Sequence, residues 1–190
     1  MADDYPIIPF VGPDEWEAWL DTNHATSAGV WIAIAKKTSG IASIDYAGAL
    51  QVALCFGWID GQRRGAGDTH FHQKFTPRRA RSKWSKVNVG HAERLTAEGR
   101  MRPAGQREID RAKADGRWDA AYDPPSTIEV PADFRAALDA RPEAAAFFAT
   151  LTGAARFAFL FRIHDAKRPE TRARRIGQFV DLLATGQILH

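Results

Sequence analysis

The side chains between residues 74 and 88 have the types and spacing that bind anions. Lysines and arginines recur throughout this segment, and no Asp or Glu occurs from residue 69 to residue 92. Arginine forks and the backbone N–H groups at the start of a helix are suited to phosphate or carboxylate. Trp84 lies among these cations, an arrangement that can also stack the bases of a single-stranded nucleic acid. In the alternative interpretation, the segment is a solvated basic loop and Trp84 packs in the core.

From this segment and the strand before it, we predict an anion site. The arginines would fork the anion, Ser82 or Asn88 would cap the following helix, and Trp84 would form a wall of the site. The predicted ligand-binding residues are Asp60, Arg63, Lys74, Arg78, Arg79, Ser82, Trp84 and Asn88.

Three classes of function fit such a site. The first, which we favour, is a non-enzymatic protein that binds a small anionic ligand or a protein partner. The second is an enzyme that acts on a phosphorylated or carboxylated small molecule, with Asp60 as general base and the arginines stabilising charge. The third is a nucleic-acid-binding module that uses residues 74–86. A cleft holding Asp60 near an arginine-bound ligand would favour the enzyme, whereas a flat or convex basic surface would favour binding.

The remaining residues with reactive side chains predict no cofactor and no metal site. Cys55, the only cysteine, lies in an apolar stretch and is expected to be an inert core residue. His70 and His72 project from the same face of a predicted strand, a spacing that can chelate a metal, with Asp68 and His91 as candidates for a third ligand. We favour a solvated polar face for these histidines.

The elements that carry these residues predict an α+β fold, with a small antiparallel β-sheet covered by helices and followed by an all-helical C-terminal part. The three predicted strands are residues 29–37, 57–64 and 69–76. The last two form a hairpin, because Gly65 and Gly67 allow a tight turn between them. After Pro77 the apolar pattern changes from period 2 to period 3.6. Residues 154–163, apolar nearly all round, predict a central helix.

We divide the chain into an α+β body at residues 1–122, a proline-containing linker at residues 123–130 and a helical module at residues 131–190 that packs on the body. A second basic cluster, residues 167–175, opens the last predicted helix. Cations at a helix start oppose the helix dipole, so we expect these arginines to pair with acids at the surface.

Composition sets the broad class of the protein. The 190 residues are 45% hydrophobic and 26% charged, which argues against extensive disorder. The net charge of +3 hides a basic middle third, because residues 61–122 carry 15 basic and 7 acidic side chains. No apolar run approaches the roughly 18 residues of a membrane span. The first ten residues have acids where a signal peptide has bases, so we expect a cytoplasmic protein.

Nine short sequence words together resemble one known family. They are WLDTNH (19–24), GVW (29–31), KKTSG (36–40), ALCFGWIDG (53–61), FTPRR (75–79), SKWSKVN (82–88), GRM (99–101), AKADGRW (112–118) and AKRPETRARR (166–175). They resemble the YdeI/OmpD-associated, or bacteriocin-protection, family over nearly the whole chain. The resemblance implies a role in protection against bacteriocins or antimicrobial peptides and an association with an outer-membrane porin. It implies no catalytic residues and no cofactor.

Overall fold

The computed structural model describes residues 5–189 and has an α+β architecture, as predicted. The chain falls into two compact units, divided between Ala121 and Tyr122. Within the described residues, the first unit contains a four-stranded sheet and four α-helices, and the second contains four α-helices. Residues 123–130 contain neither helix nor strand. Their role as a linker, and the predicted domain boundaries, stay predictions.

The sheet contains three predicted strands and one that the sequence did not predict. Its strands are β1 (Ile7–Pro9), β2 (Val30–Ala35), β3 (Trp58–Ala66) and β4 (His70–Pro77), arranged in the order β1-β2-β4-β3. β4 pairs antiparallel with both β2 and β3, as expected. β1 adds a parallel strand at the edge beside β2, so the sheet is mixed. The register of β3 shifts between Asp60 and Arg63, where the strand bulges.

The four helices of the first unit begin at residues that suit a helix start. They are α1 (Pro13–Asn23), α2 (Tyr46–Cys55), α3 (Lys86–Ala97) and α4 (Pro103–Ala114). α1 and α4 begin with proline, whose fixed φ and missing N–H cost nothing in the first turn. α2 is capped by Asp45, whose carboxylate accepts a hydrogen bond from the backbone N–H of Gly48 at 2.7 Å.

Only one face of the sheet carries the hydrophobic core of the first unit. Val30, Ile32 and Ile34 alternate along β2 and belong to this core together with the helices. Trp16 and Phe75 are both completely buried, with ring centroids 5.8 Å apart. The residues of β2 that alternate with Val30, Ile32 and Ile34 point to the opposite face. We call the face opposite the helical core the outer face of the sheet.

The end of α2 approaches α4 so closely that only glycine fits at residue 105. A Cβ atom at Gly105 would clash with the carbonyl oxygen of Cys55 and with the sulfur of Met101. The backbone N–H of Arg102 donates to the same Cys55 oxygen at 3.2 Å. Gly105 therefore fixes the position of α4 and of the loop that precedes it.

The second unit is built from α5 (Ala132–Asp139), α6 (Pro142–Thr150), α7 (Gly153–Asp165) and α8 (Pro169–Ala184). Phe134, Phe159, Leu160, Ile163 and Leu183 are completely buried in a core of its own. The helix predicted for residues 154–163 is α7.

Candidate functional site

The segment that joins β4 to α3, residues 78–85, has a conformation fixed by its own hydrogen bonds. We call it the basic loop. The backbone N–H of Arg79 donates to Oγ of Ser82 at 2.9 Å, and the N–H of Ser82 donates back to the Arg79 carbonyl at 2.9 Å. The backbone N–H of Arg78 donates to the carbonyl of Gly57, just before β3, at 3.0 Å. These bonds tie the start of the loop to the sheet and close its turn.

Arg78 lies inside the basic loop rather than on its surface. Its side chain is only 6% exposed, and Nη1 donates to the carbonyl of Lys83 at 3.1 Å. Its guanidinium carbon lies 3.6 Å from the centre of the Trp84 ring, the geometry of a cation–π contact. Arg78 thus spans the loop from within, which differs from the predicted role of forking a ligand.

Trp84 is a core residue. It is 2% exposed, and its ring lies 4.8 Å from the ring of Trp118. Nζ of Lys113 lies 5.2 Å from the Trp118 ring, so each of the two indoles contacts one cation. A ring this deeply buried has no face on which a nucleic-acid base could stack. The structure corresponds to the alternative interpretation, in which Trp84 packs in the core.

The two residues predicted to cap α3 each lie three positions away from the observed cap, so this prediction was wrong. Ser85, not Ser82 or Asn88, is the N-cap, because its Oγ accepts from the backbone N–H of Asn88 at 3.1 Å. Ser82 is engaged inside the basic loop, and Asn88 is only 8% exposed in the first turn of the helix. Ser85 directly precedes the first helical residue, which is the position that an N-cap requires.

Asp60 and Lys74 lie on opposite faces of the sheet. Asp60 pairs with Phe75, a core residue, and its carboxylate accepts from the hydroxyl of Tyr46 at 2.8 Å. Lys74 neighbours Phe75 in β4 and therefore points to the outer face, where its Nζ donates to Oε1 of Gln62 at 3.2 Å. A single ligand on one face of the sheet could not contact both side chains.

Arg63 also lies apart from Lys74. It pairs with Gln73, on the same side of the sheet as the core, and its guanidinium carbon lies 3.7 Å from the centre of the Phe71 ring. The eight predicted residues are therefore divided between the two faces of the sheet, the interior and the basic loop. The predicted members that lie together on the loop surface are Arg79, which is exposed, and Ser82, which is half-buried.

The basic loop presents its remaining cations outward. Arg79, Arg81 and Lys83 are exposed, and Lys86 is exposed in the first turn of α3. Arg117, which was not among the predicted residues, holds the loop from the side, since its Nη1 donates to the Ser82 carbonyl at 2.8 Å.

Arg117 is positioned in turn by an acid. Its Nε donates to both carboxylate oxygens of Asp115 at 2.8 Å, and this hydrogen bonding lowers the pKa of the Asp115 carboxyl. An acid and an arginine two residues apart, immediately before Trp118, were the sequence signal for this support. The exposed cations thus lie on a loop that is held by hydrogen bonds from two arginines, Arg78 inside the loop and Arg117 outside it.

The second basic cluster, on α8, serves the second unit internally. Arg172 pairs with Asp133 through Nε–Oδ2 at 2.5 Å and Nη2–Oδ1 at 2.9 Å, and its Nη1 donates to the Ile163 carbonyl at 2.8 Å. Arg175 donates to the Arg162 carbonyl. These two carbonyls belong to the last turn of α7, where helices lack internal donors. The expected pairing with an acid holds for Arg172, whose hydrogen bond lowers the pKa of Asp133.

Two family models match different parts of the chain. The model described as Bacteriocin-protection, YdeI or OmpD-Associated matches residues 127–186, which lie in the second unit. The model described as Domain of unknown function (DUF8412) matches residues 8–108, more than half of the 190 residues. The chain belongs to the DUF8412 family. The resemblance to the YdeI/OmpD-associated family is confirmed for the helical unit. No curated protein and no solved structure matches the chain.

Within the region that matches DUF8412, Cys55 is buried and the two strand histidines have hydrogen-bond partners. Cys55 is 3% exposed, and burial raises the pKa of its thiol. Nδ1 of His72 accepts from Nε of Arg64 at 3.4 Å, and Nδ1 of His70 lies 2.8 Å from Oγ1 of Thr69. Over residues 5–189, no group of three or more His, Cys, Asp or Glu side chains is placed to hold a metal ion. None of the helices in that range is long and apolar enough to cross a membrane.

Proposed function

We propose that the protein is a non-enzymatic binding protein that takes a small anionic ligand or an anionic partner surface on the basic loop. The observation that carries the proposal is the combination of a hydrogen-bonded, internally braced loop with outward cations at Arg79, Arg81, Lys83 and Lys86. A rigid loop loses little conformational entropy when it binds, so the charges it displays are preorganised.

Charge density supports the same proposal. The four exposed cations lie within eight residues, in a stretch of the sequence that contains no acid between residues 69 and 92. Neighbouring cations repel one another, and an anion bound between them relieves that repulsion. Arginine contributes a planar fork that matches phosphate and carboxylate oxygens, which favours Arg79 and Arg81 as the specific contacts.

The position of Asp60 supports binding over catalysis. The enzyme hypothesis requires Asp60 beside an arginine-bound ligand, but its carboxylate is hydrogen-bonded to Tyr46 on α2 and Arg78 faces inward. Because Trp84 is buried and cannot stack a base, only the charge of the basic loop supports the nucleic-acid hypothesis. We link the binding role to protection against bacteriocins, antimicrobial peptides or envelope stress solely on the description of the family that residues 127–186 match.

The test compares Arg79→Ala/Arg81→Ala with a control of equal charge, Arg107→Ala/Arg135→Ala, whose arginines are exposed on α4 and α5. Binding of inorganic phosphate and of a short single strand is measured by calorimetry at low salt. Each lost charge-assisted hydrogen bond should weaken binding by about 1.5–3 kcal/mol in the loop variant. The control should retain the wild-type affinity.

The same two ligands, phosphate and a single strand, also distinguish a small-anion partner from a nucleic-acid partner. A nucleic acid would bind with an affinity that falls steeply with salt, with a slope of about 0.7 per phosphate contact. A small-anion site would bind phosphate with a shallow salt dependence. If the loop variant and the control lose equal affinity, or if neither ligand binds to the wild type, the basic loop is not the binding site and the proposal fails.

A further inference from the structure

A second group of cations lies on the outer face of the sheet, around Trp31. Trp31 is 4% exposed but does not belong to the hydrophobic core of the first unit. It points away from that core because it alternates with Val30 and Ile32 along β2. A nearly buried indole on the face opposite the core must be covered by something other than the core.

Arg64 provides part of this cover. It pairs with His72 of β4, and its guanidinium carbon reaches across that strand to lie 4.1 Å from the centre of the Trp31 ring. Nζ of Lys74 lies 5.7 Å from the same ring. Beside them, Ala33 pairs with His72 and presents only a methyl group. The outer face thus has a nearly buried indole, a guanidinium lying over it and a small side chain beside His72.

The polar groups at this position are donors. Nε of Arg64 donates to Nδ1 of His72 at 3.4 Å, so the neutral imidazole carries its proton on Nε2 and can donate from there. The indole N–H of Trp31 is buried, and no acceptor among the described residues pairs with it. Buried donors without acceptors are rare in folded proteins and call for a partner.

Arg64 keeps its outer donors available for an anion. Among residues 5–189, no carboxylate forms an ion pair with Arg64, although nearly every arginine on α4 and its flanks has one. A guanidinium stacked on an aromatic ring presents its N–H groups at its edge, in the plane that a tetrahedral or planar oxyanion approaches. Stacking also fixes the side chain before the anion arrives.

We propose that the outer face of the sheet binds the phosphate group of a small molecule, held by the Arg64 fork and His72 beside Trp31. This site is separate from the basic loop and does not depend on it. Burial lowers the pKa of His72, with Arg64 and His70 adding to the effect, so the histidine is neutral at physiological pH and gains a charge when the pH falls. Binding of an oxyanion that keeps its own charge should therefore strengthen in acid.

The chain offers a matched control in the neighbouring residue. Arg63 also lies over an aromatic ring, Phe71 at 3.7 Å, but on the opposite side of the sheet. The full chain, labelled with nitrogen-15, is titrated with inorganic phosphate while the indole N–H signals are followed by NMR. The Trp31 signal is assigned by its loss in Trp31→Phe.

The Trp31 indole signal should shift on phosphate binding in the wild type and in Arg63→Ala. Arg64→Ala should raise the phosphate Kd at least about tenfold, equivalent to about 1.4 kcal/mol. Arg79→Ala/Arg81→Ala should leave the Trp31 response unchanged, which separates this site from the basic loop. No shift of the Trp31 signal, or a response that survives in Arg64→Ala, would overturn the proposal.

A second variant keeps the test independent of any effect of Arg64 on folding. His72→Gln retains a hydrogen-bonding side chain but cannot gain a charge. Sulfate is the probe, because it stays a dianion from roughly pH 5 to 8, where histidine titrates. The charged or titratable groups that face His72 are Arg64 from β3 and His70 and Lys74 from β4, while Trp31, Ala33 and Ala35 of β2 carry no charge. Sulfate affinity should rise in acid for the wild type and stay flat for His72→Gln; equal pH profiles would count against the site.

Discussion

Replacing Trp84 with alanine should severely destabilise the first unit while leaving the surface of the basic loop chemically unchanged. The ring is 2% exposed and lies between the Arg78 guanidinium, 3.6 Å from its centre, and Trp118, 4.8 Å away. Removing a buried tryptophan side chain costs about 3–5 kcal/mol through lost transfer free energy and the cavity that remains. The free energy of unfolding of such domains is about 5–15 kcal/mol, so Trp84→Ala would remove much of the stability.

Urea unfolding, followed by far-ultraviolet circular dichroism, measures this loss directly. Arg79→Ala is the control, since Arg79 is exposed one position away from Arg78, and we expect a change within about 0.5 kcal/mol. A loss below about 1 kcal/mol in Trp84→Ala would refute the assignment of Trp84 to the core.

A double-mutant cycle isolates the contact between Arg78 and Trp84. The variants are Arg78→Met, Trp84→Leu and the double substitution, so that each retains an apolar side chain. A desolvated cation–π contact contributes about 2 kcal/mol, and we expect a coupling free energy of about 1–2 kcal/mol. A coupling within about 0.3–0.5 kcal/mol of zero, the level found for independent sites, would mean that the stacked geometry contributes nothing to stability.

Three further predictions concern positions outside the basic loop. Gly105→Ala should destabilise by about 1–3 kcal/mol, because the new Cβ overlaps the Cys55 carbonyl, whereas Gly90→Ala, with open space around it, should not; thermal melts compare the two. At a pH above about 4, the pKa of an unfolded Asp carboxyl, Asp133→Asn should lower the free energy of unfolding by at most about 1 kcal/mol, because Arg172 lowers the pKa of Asp133 in the folded protein. As the pH falls through that lowered pKa, the difference from the wild type should vanish. Thermal melts along a pH series measure this. Cys55 should react slowly with a thiol reagent in the native state and rapidly in urea, because burial raises its thiol pKa; equal rates would contradict its burial.

The sequence predicted the sheet where the pattern was local. β2, β3 and β4 show alternation or β-branched residues, and Gly67, with φ of +71°, supplies the positive φ expected in the hairpin turn. β1 escaped prediction because three residues are too few to show alternation, and its partner in β2 lies more than twenty residues further along. A parallel pairing of this kind depends on the tertiary fold, which a local pattern does not contain.

The sequence predicted the positive charge of the candidate site but not which of its side chains are buried and which are exposed. Nothing near Arg78 and Arg79 distinguishes them, yet one is buried and the other exposed. Arg78 lies over Trp84, which packs against Trp118, and Arg117 donates to the loop at Ser82; both of these later residues lie more than thirty positions away in the sequence. The run of cations and the turn residues in the sequence contain no information on such distant partners.

The two ends of the sheet bear on self-association. β3, the terminal strand on one side, is nine residues long, but its ladder is interrupted by the bulge between Asp60 and Arg63. Bulges and charged side chains on an edge strand hinder the addition of a strand from another molecule. On the other side, β1 has only three residues and ends in Pro9, which lacks the N–H that a new ladder would need. Within residues 5–189, neither end of the sheet is a long, flat template for aggregation, and a variant of β3 without the bulge would present a longer regular edge to other molecules.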